Sequence, residues 1–136
     1  MDLLKAIKRH EGFRSKVYKC TEGYDTIGYG FAIKDLILDE DVAEIILMKK
    51  IKKLLERILI AFPWFKDSPN PVKFVVSNMC YQLGITGFSK FKKTIYYLET
   101  EQYEEASAEM LDSLWAKQTP ARAKELSEII KSIQAN

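Results

Sequence analysis

The sequence predicts an α+β fold, mostly α, with a small N-terminal β-hairpin lobe, a long linking helix and a C-terminal helical lobe. Three observations carry this expectation. Residues 16 to 34 are β-prone and punctuated by glycines. Residues 39 to 62 form one amphipathic run without a breaker. Everything after Ser68 has helical character. With 136 residues, 47% of them apolar, the chain suits a single domain with a real core, and no repeat or low-complexity linker divides it.

Residues 3 to 10 place Leu3, Leu4 and Ile7 on one face and Lys5, Lys8 and Arg9 on the other, with Asp2 as cap, which predicts a short helix ending near Gly12. This helix is expected to join the helical lobe, leaving about 13 to 38 as the β lobe. Within it, Val17 to Cys20, Thr21 to Tyr24 and Thr26 to Phe31 predict two or three antiparallel strands. Asp39 then caps a helix that Pro63 stops, with Leu47, Ile51, Leu54, Leu55 and Ile58 on one face. At about 24 residues, or roughly 36 Å, it is long for a small domain and is expected to link the two lobes. The helical lobe, 68 to 136, is expected to hold a helix from Pro71 to Tyr81, a Gly84 to Gly87 turn, and helices from Phe88 to Leu98 and from Thr100 to about Ser113. Thr119-Pro120 opens the last helix.

The 21 Lys and Arg against 19 Asp and Glu leave a net charge of +2, so no global attraction to nucleic acid is expected, although 17 of the cations are lysine. Cys20 and Cys80 lie 60 positions apart without CxxC spacing, and His10 is the one histidine, so neither a zinc site nor a disulfide framework is indicated. One bridge stays open, and no cofactor or metal is expected. The start breaks its apolar character at Lys5, Lys8 and Arg9 before a signal-peptide core can form, and no stretch approaches about 18 uncharged apolar residues. Synthesis in the cytoplasm, without a signal peptide and without stable membrane insertion, is the expectation. Gly23 to Gly30 carries three glycines in eight residues, but lacks the GxGxxG spacing and the following helix of a phosphate loop.

Glu11 ends the first helix, where the macrodipole disfavours a negative charge and raises a carboxyl pKa. Arg122 stands in the first turn of the last helix, where the dipole disfavours a cation. Each is poorly placed alone and well placed if the two face one another. Taken singly, each also reads as an ordinary solvated charge.

The segment from His10 to Gly30 resembles the phage-type lysozymes, or endolysins, of glycoside hydrolase family 24. Their signature is a catalytic Glu, eight residues, Asp or Cys, five residues and Thr, and Glu11, Cys20 and Thr26 fall on it. Asn78 to Gly87 is similar to the family's helix and turn behind the cleft, and Trp115 to Arg122 to its C-terminal motif. The resemblance implies a two-lobed lysozyme-like fold that cleaves the β-1,4 bond between N-acetylmuramic acid and N-acetylglucosamine in peptidoglycan. Glu11 would be the general acid, Arg122 its ion-pair partner, and Thr26 the holder of the attacking water. Gln82 would face an N-acetyl group, and Tyr18 and Tyr24 would touch sugar, with helix-surface and core-packing roles as the plainer readings. The family further implies a monomer acting on the wall in the periplasm, released by a separate holin. Lys49 to Lys53 and Lys90 to Lys93 are solvated helix faces or, functionally, attraction to that anionic wall.

At Cys20 a thiol near its reference pKa of about 8.5 is mostly neutral and a weak base. Three roles stay open: orienting water, acting as nucleophile once deprotonated, or contributing little; the first is preferred because few cations besides Lys19 flank it. Taken without its neighbours, Cys20 is a small half-buried strand residue, Thr26 a β-branched one, and Cys80 core. Two departures stand out. Phe31 occupies a place where many members carry His, and the connection from Ile33 to Asp39 is short, so a reduced β lobe is expected. The competing functions are a lytic transglycosylase, since position 20 lacks a carboxylate, and an inactive peptidoglycan-binding or interaction domain. Thr26 argues against the first and intact Glu11 against the second.

Overall fold

The computed structural model describes residues 1–134. They form two compact units, Met1–Ile45 and the described residues from Ile46 onward. In the first unit, α1 (Leu3–Glu11) begins at Asp2, whose carboxylate accepts the Lys5 N–H at 3.2 Å, and ends at Gly12, whose φ of 70° reverses the chain. Three antiparallel strands follow in the order β1 (Arg14–Lys19), β2 (Asp25–Gly28) and β3 (Phe31–Ala32). Tyr18 pairs with Thr26 and Lys19 with Asp25, while the ladder is irregular between Arg14 and Tyr18. A 3-10 turn, Ile33–Asp35, and a short link lead to α2 (Glu40–Ala61). The Asp39 carbonyl accepts the Ala43 N–H at 2.9 Å, which puts Asp39 at the cap position expected for it.

In the second unit the apolar face of α2 delivers Ile58 to the core, with Leu54 and Leu55 packed against it. After a 3-10 turn, Pro63–Asp67, come α3 (Asn70–Ser89), α4 (Lys92–Glu99), α5 (Tyr103–Leu111), α6 (Leu114–Gln118) and α7 (Pro120–Lys131). Val72, Val75, Val76 and Met79 from α3 meet Met110 from α5 and Leu126 and Ile130 from α7 in one buried cluster. Small residues let α5 and α7 close on each other, where the buried Ser107 hydroxyl donates to the Ser127 carbonyl at 2.9 Å.

The helix boundaries differ from the sequence expectation in four places. The Gly84 to Gly87 turn contracts to a break at Gly84 alone (φ 75°, ψ 164°), after which the chain is helical again to Ser89. Only one residue need leave the helical region to kink the helix, and glycine does so without a Cβ penalty. The second helix of that region starts at Lys92 rather than Phe88. Next, α5 starts at Tyr103 rather than Thr100, because Thr100 to Gln102 close the end of α4: Glu101 takes φ 60° and the Gln102 N–H donates to Tyr97 O at 2.8 Å. Finally, residues 114 to 118 form a separate turn of helix, started by the Ser113 hydroxyl, which accepts the Ala116 N–H at 3.1 Å.

Candidate functional site

In the first unit the chemistry-bearing side chains gather around the turn from β1 to β2. The Gly23 N–H donates to the Cys20 carbonyl at 2.9 Å, and the Cys20 N–H donates to the Tyr24 carbonyl at 2.9 Å, closing a tight reversal. Thr26 is buried, and its hydroxyl donates to that same Tyr24 carbonyl at 2.9 Å. One backbone oxygen therefore fixes both Cys20 and Thr26. Just beyond the turn the Lys19 ammonium lies 2.8 Å from the Asp25 carboxylate, and Lys34 Nζ sits 4.1 Å from the centre of the Tyr24 ring.

The Cys20 thiol is free, and it ionises more readily than an ordinary cysteine. Hydrogen bonding from the backbone of Tyr24 and then of Glu22 stabilises the thiolate; partial desolvation and the Glu22 charge oppose this. The lysine beside it is not the cause. The stabilising groups are the turn's own backbone, which residue type does not reveal. Cys80 is the contrary case, free and buried in α3, where burial pushes its thiol up to about 12. The bridge left open by the cysteine count is therefore not formed.

Glu11 is exposed at the last position of α1. The turn from β2 to β3 approaches it closely: a Cβ on Gly30, which has φ +76°, would stand 2.9 Å from Glu11 Oε2. The positive φ favours glycine there, and the missing Cβ leaves the carboxylate room beside the turn. Tyr29 braces the same region, with its ring 5.4 Å from that of Phe13 and 5.6 Å from Lys8 Nζ. Tyr18 is half-buried with the Arg14 guanidinium 4.7 Å over its ring, and Tyr24 is exposed. Phe31, exposed, lies against Gly28, where a Cβ would meet its ring at 2.7 Å.

In the second unit, Arg122 in the first turn of α7 grips Asn78 of α3 twice: Nε donates to Asn78 Oδ1 at 2.8 Å and Nη2 to the Asn78 carbonyl at 3.1 Å. One turn along α3, Gln82 Oε1 accepts the indole N–H of buried Trp115 at 2.8 Å. The amide nitrogen of Gln82 keeps its two donors. Asn78 and Trp115 are the partners that sequence reasoning missed. They lie 44 and 33 positions from Arg122 and Gln82, and no local pattern encodes such a pairing. Among the described residues no helix is long and apolar enough to cross a membrane.

The phage lysozyme family model matches residues 8–131. Probable T4-type lysozyme 1 of Dictyostelium discoideum is 28% identical over 93% of this chain and 91% of its own length. The endolysin of Acyrthosiphon pisum secondary endosymbiont phage 1 is 31% identical over 84% of this chain and 77% of its own. The pre-baseplate central spike protein Gp5 of Enterobacteria phage T4 is 30% identical over 96% of this chain, which spans only 28% of that longer protein. With the match running from α1 through the glycine-bearing hairpin to α7, the chain belongs to the phage lysozyme family and is a lysozyme-type hydrolase.

Proposed function

We propose that the chain, working as one lysozyme-like domain, hydrolyses peptidoglycan at the β-1,4 bond between N-acetylmuramic acid and N-acetylglucosamine. Glu11 is the general acid that protonates the leaving oxygen. Cys20 and Thr26 hold the water that attacks the anomeric carbon from the opposite side of the sugar. The observation that carries this reading is the Tyr24 carbonyl, which receives both the Cys20 N–H and the Thr26 hydroxyl and so sets a thiol and a hydroxyl on one turn. With its proton spent on Tyr24, Thr26 offers lone pairs to a water.

The readily ionised thiol bears on position 20. When ionised, the thiolate stabilises the positive charge that develops on the sugar, which is the electrostatic work of a carboxylate at that place in a two-carboxyl glycosidase. Water orientation remains the role proposed for it, rather than attack by sulfur. Arg122, held on Asn78, steadies the start of α7, and Gln82 turns its amide donors to an N-acetyl carbonyl. Each ring carries a cation over one face, Arg14 on Tyr18 and Lys34 on Tyr24, and the more exposed Tyr24 is the one offered to sugar. The enzyme acts as a monomer on the wall in the periplasm, where a separate holin releases it.

The test is Glu11→Gln, which keeps the shape and removes the transferable proton. Wall lysis is expected to fall by more than about 100-fold with the fold intact. Lysis within tenfold of the parent overturns the assignment. Anhydro-muramic ends among the products of the parent would instead identify a lytic transglycosylase.

A further inference from the structure

The hairpin tip that carries Cys20 and Thr26 has little intrinsic means of keeping its register. Strand β2 has four residues, β1 is mostly exposed, Gly23 stands within the turn and Gly28 at the far end of β2, and the ladder is already irregular between Arg14 and Tyr18. Sheets of this kind slip readily, and a slip of one residue turns every side chain to the other face. For Thr26 that would mean exchanging its buried position for the solvent face.

Two contacts oppose such a slip, and both sit at the tip. Lys19 and Asp25 are ladder partners as well as an ion pair at 2.8 Å, so they are the last rung before the turn, next in sequence to Cys20 of the turn and to Thr26 of β2. Lys34, from the 3-10 turn after β3, places its ammonium 4.1 Å from the centre of the Tyr24 ring, on the residue whose carbonyl both Cys20 and Thr26 use. A one-residue slip breaks the ion pair and carries Tyr24 away from Lys34. Neither contact is strong alone, since both ends of the ion pair are exposed. Their value lies in position, because a weak bias suffices to choose between registers of similar energy.

We infer that Lys19, Asp25 and Lys34 are positioning residues for the hydrolytic reaction, a clamp that fixes the register in which Cys20 and Thr26 share the Tyr24 carbonyl. The inference rests on the reading of Cys20 and Thr26 as site residues. The clamp touches no reacting atom, so its loss lowers turnover more than it weakens substrate binding.

The test uses the whole enzyme on a soluble uncrosslinked glycan, which keeps attraction of lysines to the wall out of the measurement. Lys19→Gln combined with Lys34→Gln is expected to lower kcat at least about threefold with KM within about twofold. Exchange of the Cys20 amide hydrogen should quicken, and alkylation of the Cys20 thiol at neutral pH should slow as its backbone hydrogen bonds are lost. The charge-swapped pair, Lys19→Asp with Asp25→Lys, should recover kcat relative to Lys19→Asp alone. Unchanged kcat and unchanged amide exchange in the double variant, with Thr26→Ala inactive, overturns the clamp and leaves the site reading standing. A raised KM at unchanged kcat also overturns it, by assigning the lysines to substrate binding. Full activity in Thr26→Ala overturns the site reading itself, and the clamp with it.

Discussion

Arg122 holds Asn78 by two of its nitrogens, at 2.8 Å to the side-chain oxygen and 3.1 Å to the main-chain carbonyl. The second contact matters more. Asn78 lies inside α3, so a guanidinium on its carbonyl fastens the start of α7 directly to the backbone of the core helix. This also resolves why a cation stands in the first turn of α7 against the dipole. Charge-assisted hydrogen bonds of this kind contribute about 1.5–3 kcal/mol, so Arg122→Ala should destabilise by that order in urea unfolding. Arg122→Lys should recover only part, because an ammonium cannot span both acceptors. A midpoint for Arg122→Ala equal to the parent's would show that the grip contributes nothing.

Trp115 is buried with its indole N–H on Gln82. Gln82→Ala leaves that donor without an acceptor and should cost about 1–3 kcal/mol. Trp115→Phe removes donor and need together, so Gln82→Ala in the Trp115→Phe background should cost less. Equal costs in the two backgrounds would show that the bond is not coupled. The cycle also separates two duties of Gln82: any loss of kcat/KM beyond the loss of folded protein belongs to substrate.

The elements legible in the sequence are those that local chemistry dictates. Asp2 and Asp39 announce helix starts, the glycines of residues 23 to 30 announce the hairpin, and Pro63 and Pro120 mark boundaries; the structure follows each. The boundaries that moved are set by single residues: Gly84 breaks α3, the Ser113 hydroxyl starts α6, and Gln102 returns to Tyr97 and delays α5. For the site, the spacing of Glu11, Cys20 and Thr26 singles out the hairpin. The ready ionisation of Cys20 was not legible, because it comes from backbone groups of Tyr24 and Glu22 rather than from a charged neighbour. The same holds for Arg122 and Asn78, which only the packing of α7 on α3 brings together.

Gly30→Ala should damage activity more than stability. The substitution puts a Cβ 2.9 Å from Glu11 Oε2 at a φ of +76°, where an alanine is strained by about 1–2 kcal/mol. Glu11 is exposed at a helix end, so its carboxylate moves away more easily than the turn does. A displacement near an ångström in a proton donor can lower rate by about 100-fold. Lysis should therefore fall at least tenfold while the melting temperature drops by a few degrees. Loss of folded protein in proportion to activity would place the damage in the turn instead.

The two cysteines titrate in opposite directions, and each has a consequence. The folded Cys20 thiol is depressed below its unfolded value, so the stability it contributes is complete above the unfolded pKa and is lost as pH falls through the folded one. Cys80 is raised to about 12, so it remains a neutral thiol while the unfolded chain ionises, and stability falls as pH climbs from the unfolded value toward 12. An alkylating reagent on the native enzyme should therefore modify Cys20 alone, with a rate midpoint below the ordinary thiol value of about 8.5. A midpoint at or above that value would show that the turn does not stabilise the thiolate. For the reaction, Cys20→Asp should preserve or raise activity, because a carboxylate accepts a water's hydrogen more strongly and opposes the developing charge on the sugar. Cys20→Ser should be partly active, since a hydroxyl can still hold water but brings no negative charge. If sulfur instead attacks the sugar, serine should be nearly inactive, and a glycosyl adduct of Cys20 should be trapped by mass spectrometry with retention of anomeric configuration. Products of inverted configuration, with no adduct, are the outcome expected of a thiol that orients water.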